Sequence, residues 1–257
     1  MNPKANRIAW AISLFSILLL YIPLIVMVVY SFLDFSSGSH HWTSDWYIKV
    51  FSNESILQAL QVSLVVGFWT TLGSILLGTA AALAIERTRF PGRAVFDAVT
   101  HLPLVMPEIV MGLSLLIWFV MLRITLGTFS IVLAHITFSI SYVLITVRSR
   151  LKDFDESLEE AARDLGASPW QTFWKVTLPL IFPSILSGAL MAFTLSFDDF
   201  LITFFTAGVG SDTLPLKIYS MIKFGVSPEI NALSTLILGA TLIMVFLFFK
   251  PFQKILK

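Results

Sequence analysis

Six long apolar runs dominate the chain, at residues 8–32, 62–85, 99–122, 124–147, 181–206 and 230–249. Each can cross a hydrocarbon core of about 30 Å, which takes about 20 helical residues. Backbone amides inside lipid must find partners within their own segment, so runs of this length form helices. The third and fourth are separated only by Arg123 and a short turn. Composition agrees: 56% of residues are hydrophobic, 13% are charged and the mean hydropathy is +0.85. Those values lie outside the soluble globular range. The expectation is an all-α polytopic membrane protein with six transmembrane helices, forming one domain over residues 1–257. Lys4 and Arg7 precede the first run in the manner of a signal peptide. That run exceeds the 7–15 residues, roughly, of a signal's apolar region, and no small-residue cleavage site follows. A retained first helix is expected.

Basic residues fix the orientation. Thirteen of the seventeen lie at the N-terminus, in segments 86–98 and 148–180, and at the C-terminus. Only four lie in the alternate segments 33–61, 123 and 207–229. The positive-inside rule then puts both termini and the 148–180 loop in the cytoplasm.

Several function classes are excluded. A net charge of +1 gives no footprint for nucleic acid. Without cysteine there is no disulfide or thiolate metal site, and the four histidines are scattered without ligand spacing. The string from Gly73 to Gly78 and Thr79 has two glycines but lacks the lysine that a phosphate-binding loop requires. No nucleophile elbow occurs. The chain is therefore expected to be no enzyme and to need no cofactor. Ser74, Gly78 and Ala82 share one face of the second run, and Ser184, Gly188 and Ala192 one face of the fifth. Such faces allow close helix approach, within the chain or against a second subunit. Pro23, Pro103 and Pro107 fall in or near runs and are expected to kink them.

The loop at 148–180 is the most charged stretch of the chain. Ser157-Leu158-Glu159-Glu160 reads as a capping box, and Gly166 fits the left-handed position after a helix. Ser168-Pro169-Trp170-Gln171 opens a second short helix with a cap, a proline at its first position and Gln at its third. Leu158, Leu165, Trp170, Phe173 and Trp174 supply apolar surface, for the membrane boundary or for a partner. Glu160-Ala161-Ala162, three residues, Gly166, nine residues, then Val176-x-Leu178-Pro179 resembles the EAA loop of ATP-binding-cassette importer permeases. Val176 stands where that pattern has isoleucine. The resemblance implies the type I (MetI-like) importer fold, a single permease domain, and a coupling helix docked on a separate ATPase chain. By it, Glu160, Ala161, Ala162, Gly166, Leu178 and Pro179 serve ATPase coupling. Pro107–Met111, Ser196–Asp199, Leu214–Met221 and Gly225–Leu233 further resemble PotC-type spermidine/putrescine permeases. The implied partners are two ATP-binding subunits, a second permease subunit, a periplasmic substrate-binding protein and a polyamine. The implied location is the inner membrane.

Independently of that resemblance, Glu108, Asp198 and Asp199 fall within apolar runs that hold no lysine or arginine. A carboxylate near the bilayer centre costs roughly 2.5–3.5 kcal/mol on insertion scales. These acids should face an aqueous path, meet a cation or take up a proton, and a cationic substrate would satisfy them. Alternatively, a second subunit supplies the cation, or the aspartates snorkel to the outer interface or cap a helix break. Neighbours on a helix point about 100° apart, so Asp198 and Asp199 are not expected to face one path. Asp198, on a stripe with Ser187, Met191 and Thr194, is the better path residue. His135 is the candidate buried base. Phe197, Phe200, Phe204 and Phe205 surround the acids, for cation–π contact or for packing.

Overall fold

The computed structural model describes the backbone of residues 3–34, 41–223, 225 and 227–255, and the side chains of 10, 12–34, 41–223, 225 and 227–243. Lys4, Arg7, Lys250, Lys254 and Lys257, which enter the orientation argument, lie outside the described side chains.

The helices are α1 (Pro3–Tyr30), α2 (Asp45–Ser52), α3 (Glu54–Arg87), α4 (Arg93–Val105), α5 (Glu108–Met121) and α6 (Thr128–Lys152). There follow α7 (Ser157–Asp164), α8 (Pro169–Thr172), a π-helical turn (Phe173–Thr177), α9 (Leu178–Asp198), α10 (Leu201–Thr206), α11 (Leu214–Lys223) and α12 (Pro228–Ile255). Two-residue strands β1 (Leu33–Asp34) and β2 (His41–Trp42) pair antiparallel.

Four described helical stretches are long and apolar enough to span a membrane: Ile12–Tyr30, α3, α6 and the run Pro169–Asp198. Two of the six expected spans differ from a plain rod. The third, expected as one helix over 99–122, is α4 and α5, bent by 114° at Met106–Pro107. The cause is local: a residue before proline is pushed out of the helical region, and Met106 is extended at ψ 135°. Counted as one, the bent pair is a fifth span. The fifth expected span, 181–206, begins earlier, on the run from Pro169, and ends at Asp198, with α10 separate. The sixth, 230–249, lies on α12, whose described apolar part is Pro228–Ile243.

The chain divides into two compact units, residues 1–57 with 218–257, and residues 58–217. In the first, α12 packs on α1 and α2. Ser31 Oγ donates to the Val28 carbonyl and meets Tyr47 Oη at 2.6 Å, and Trp46 Nε1 donates to the Leu33 carbonyl at 3.1 Å. Val50, Ile56, Ile230, Ala232 and Leu233 are buried.

In the second unit α6 lies between α3 and α9. Lipid supplies no hydrophobic drive between helices, so contact rests on close backbone approach. Val143 sits at the seam: a Cβ on Gly78 would come within 2.8 Å of its Cβ, and one on Gly188 within 3.1 Å of its Cα. The small-residue faces of the second and fifth runs thus serve packing within the chain: Ser74, Gly78, Ala82, Gly188 and Ala192 are buried. Ala82, Ile85, Val143, Leu144, Val147 and Ile181 form the adjoining core. We predict that Gly78→Val lowers stability by about 1–3 kcal/mol through overpacking, because the Ile140 carbonyl, 3.0 Å from the built Cβ, cannot rotate away. Gly239→Ala, in open space, should not lower it. Thermal unfolding in detergent compares the two.

Candidate functional site

Glu108, Asp198 and Asp199 line a single cavity of about 340 Å³ in the second unit. Its wall also includes Pro103, Leu104 and Met106 from the α4–α5 bend, Phe138 and Tyr142 from α6, Thr194 from α9, and Phe200. Two chain breaks bring the acids together. The Met106–Pro107 bend makes Glu108 the first residue of α5, where a carboxylate suits the positive helix end. The second break separates Asp198, the last residue of α9, from Asp199, which is extended at ψ 128°. The 100° rule for neighbours on a helix does not cross such a break, so both aspartates line the same cavity.

Their roles diverge. Asp199 is the cap of a helix break. Its carboxylate accepts from the Ile202 amide at 3.3 Å, the Thr203 amide at 2.8 Å and Thr203 Oγ1 at 2.9 Å. His135 Nε2 lies 3.2 Å from the same carboxylate, with side-chain exposures of 0% and 6%. His135 also reaches Ser196 Oγ at 2.8 Å and Thr203 Oγ1 at 3.0 Å, joining α6 to both sides of the break. Asp198 instead is exposed, and no described residue pairs with it. It sits at the negative end of α9, where a carboxylate is disfavoured by about 0.3–1 kcal/mol. Neither capping nor ion pairing explains an acid there. Among the four phenylalanines noted in the sequence, Phe200 lines the cavity, whereas Phe197 stacks on Phe193 at 5.9 Å. Phe138 and Tyr142 were not anticipated. They lie one helical turn apart on α6, about sixty residues from the aspartates, a spacing that any packed apolar helix shows.

The polar loop lies at the other end of α9, whose 21 residues span about 30 Å at 1.5 Å per residue. Gly166 has φ +88°, and the Ala167 and Gly166 amides donate back to the Ala162 and Arg163 carbonyls at 3.0 and 2.9 Å. This is the left-handed stop expected of it. The Ser168 box also forms, with Gln171 N to Ser168 Oγ at 3.3 Å and Ser168 N to Gln171 Oε1 at 2.9 Å. The Ser157 box does not form. Ser157 is already helical, and Asp155 caps the helix by accepting from the Ser157 amide at 3.0 Å. Hydrogen bonds from the Ser157 side chain and backbone hold the Asp155 carboxyl below its ordinary range.

Glu160, Ala161 and Gly166 are exposed and Ala162 is half-buried. Beside them Leu165 and Trp170 are 90% and 70% exposed. Trp170 and Trp174 meet edge to face at 5.5 Å. Leu178 packs against the core around Val143, so it faces inward. Pro179 explains the π turn. Proline cannot donate to the carbonyl four residues back, and the Leu178 amide reaches five residues back, to Phe173. Neighbouring Glu159, not marked by the motif, is 8% exposed. Among the described residues no group of three or more His, Asp or Glu could hold a metal.

Span-length helices around an acid-lined cavity, with a polar hairpin on the same unit, define a polytopic membrane permease. Residues 74–257 match the family described as the binding-protein-dependent transport system inner membrane component, and the chain belongs to that family. It is 43% identical over 228 residues to the spermidine/putrescine transport system permease protein PotC of Escherichia coli (strain K12), covering 88% of this chain and 86% of that one. It is 42% identical over 257 aligned residues to the putrescine transport system permease protein PotI of the same strain, covering 96% and 92%. A crystal structure of a bacterial ABC transporter involved in import of the acidic polysaccharide alginate superposes with a TM-score of 0.74, at 17% identity and 98% coverage of both chains. That likeness shows the fold, the expected one of an ABC importer permease.

The division between the aspartates has a measurable consequence. Asp199→Ala leaves two amides and His135 without their acceptor and is expected to cost about 2–4 kcal/mol. Asp198→Asn should stay within about 0.5 kcal/mol of the parent. Equal losses in thermal unfolding would refute separate roles.

Proposed function

We propose that this chain is the inner-membrane permease subunit of an ATP-driven polyamine importer, forming half of the translocation path. One observation carries the reading. Glu108 and Asp198 line a cavity shared with Phe138, Tyr142 and Phe200, and among the described residues no lysine or arginine lines it. A polyamine is a flexible chain of amines that are protonated at neutral pH, as lysine is. Separated carboxylates suit its separated charges, and aromatic faces attract ammonium groups. The cavity volume falls in the range of about 300–1,000 Å³ typical of small-molecule sites. The names of the similar PotC and PotI proteins support the same substrate class.

In this reading ATP is hydrolysed on two separate cytoplasmic subunits, and a second permease chain completes the path. A periplasmic binding protein delivers substrate, and both termini face the cytoplasm. Glu160, Ala161 and Ala162, with the turn at Gly166, present the docking helix, while Leu178 and Pro179 anchor the loop to α9. Docking couples to transport only if the two ATPase states hold α7 differently.

Uptake of radiolabelled spermidine by the reconstituted complex tests the substrate, with putrescine and neutral amino acids as competitors. Putrescine should compete and the amino acids should not. A charged hydrogen bond is worth about 1.5–3 kcal/mol, so Asp198→Asn should raise the apparent KM roughly tenfold to a hundredfold. An unchanged KM removes Asp198 from the path. The permease alone in vesicles should show no gradient-driven uptake; such uptake would identify a self-sufficient carrier. Gly166→Pro forces φ to about −65° where the chain has +88°, and should uncouple ATP hydrolysis from uptake in the inserted complex.

A further inference from the structure

Glu160, Ala161 and Gly166 of the motif are exposed, but a docking loop must also hold the spans it moves. The contacts that do this converge on Glu159. Its Oε1 accepts from Arg87 Nη2 at 2.9 Å and from Thr177 Oγ1 at 2.6 Å, and its Oε2 meets Arg163 Nη2 at 3.4 Å. Arg87 also pairs with Glu156 at 3.2 Å and lies over the Phe154 ring at 5.0 Å. Glu159 is buried while its neighbour Glu160 is exposed, so the two adjacent acids, about 100° apart on the helix, serve different faces of α7.

Arg87 ends α3, and the residue before it opens a second network. Glu86 pairs with Arg148 of α6, and Arg148 pairs with Asp97 of α4. Helix α4 runs on to Pro103, Leu104 and the bend that forms one wall of the acidic cavity. The last turn of α3 thus holds α7 through Arg87 and holds α4 and α6 through Glu86. All these residues lie in the second unit.

We infer that Glu159 and Arg87 are the positioning pair through which movement of the docking helix reaches the spans, with Thr177 fixing the carboxylate in place. This rests on the docking role proposed for the outward face of α7. Glu159 touches neither the ATPase nor the substrate in this arrangement. It makes the loop and the end of α3 one body, so that a displacement of α7 is delivered to α4 and not absorbed in the 153–156 turn. A half-buried ion pair transmits position because parting its members leaves charges without partners.

The experiment uses the assembled complex with its ATPase and binding protein, in vesicles. It measures ATPase retention on purification and polyamine transported per ATP hydrolysed. Glu159→Gln and Arg87→Ala should each retain the ATPase but lower transport per ATP at least fivefold. The double variant should be no worse than the more severe single, because members of one pair do not add. Thr177→Val should move the ratio in the same direction by a smaller factor. A merely structural role would reduce the amount of complex and leave the ratio untouched.

Unchanged transport per ATP in Glu159→Gln, or additive losses in the double variant, would overturn the inference. So would loss of the ATPase from Glu159→Gln complexes, which would make Glu159 part of the docking platform. Ala161→Trp is the separate control, expected to lose the ATPase on purification. If it retains both ATPase and coupling, the docking reading fails, whatever Glu159 does.

Discussion

Helix α9 can stop inside an apolar region because one carboxylate answers for the broken backbone. An amide without a partner in lipid costs several kcal/mol, and the first turn of α10 would expose such amides. Asp199 accepts from two of them and is itself held by His135. The break can therefore persist between Asp198 and Phe200, and α6 fixes its position. The cavity depends on this arrangement. With α9 continuous, Asp198 and Asp199 would diverge around a rod; with the break, both line one wall. The cost of burying one acid is offset by hydrogen bonds, which leaves the other available for chemistry.

The second unit carries a distinct feature at each terminus of α9. One end holds acids and aromatic rings around a cavity. The other holds a hairpin whose caps are complete without a partner. Between them α6 is gripped on two sides at Val143 by the glycines of α3 and α9, so these helices cannot slide without opening that seam. Close packing resists continuous deformation and favours discrete rearrangements. The α4–α5 bend lies outside the Val143 seam and borders the cavity.

Much of this was legible in the chain. The apolar runs located four span-length helices and the bent α4–α5 pair, and Gly166 and the Ser168 box formed as their residue types require. The glycine faces were read as packing surfaces or subunit contacts, and the structure uses them for packing. What escaped were the breaks. Hydropathy averages over about twenty residues and does not register one or two residues of extended backbone, at Met106–Pro107 or at Asp199. The proline at 107 was read as a kink, but it marks a 114° bend. At 157–160 the local pattern matched a capping box, yet Asp155 captured the cap from two residues upstream, a competition that the four-residue motif does not contain. Glu159 was passed over because two adjacent glutamates look equivalent in a string. Only the approach of Arg87, 72 residues away, tells them apart.

The π turn at Phe173–Thr177 sets an angular phase. It places one more residue in a turn than the α-helix on either side, so everything before it is rotated against everything after it. Thr177 belongs to this turn and grips Glu159, while Leu178 immediately after it faces the core. The hairpin and the long span are thus indexed like two gears on one shaft, and the extra residue is the offset between their teeth. Deleting one residue of the turn would leave the side chains of residues 157–172 as they are yet aim the hairpin about a quarter-turn away.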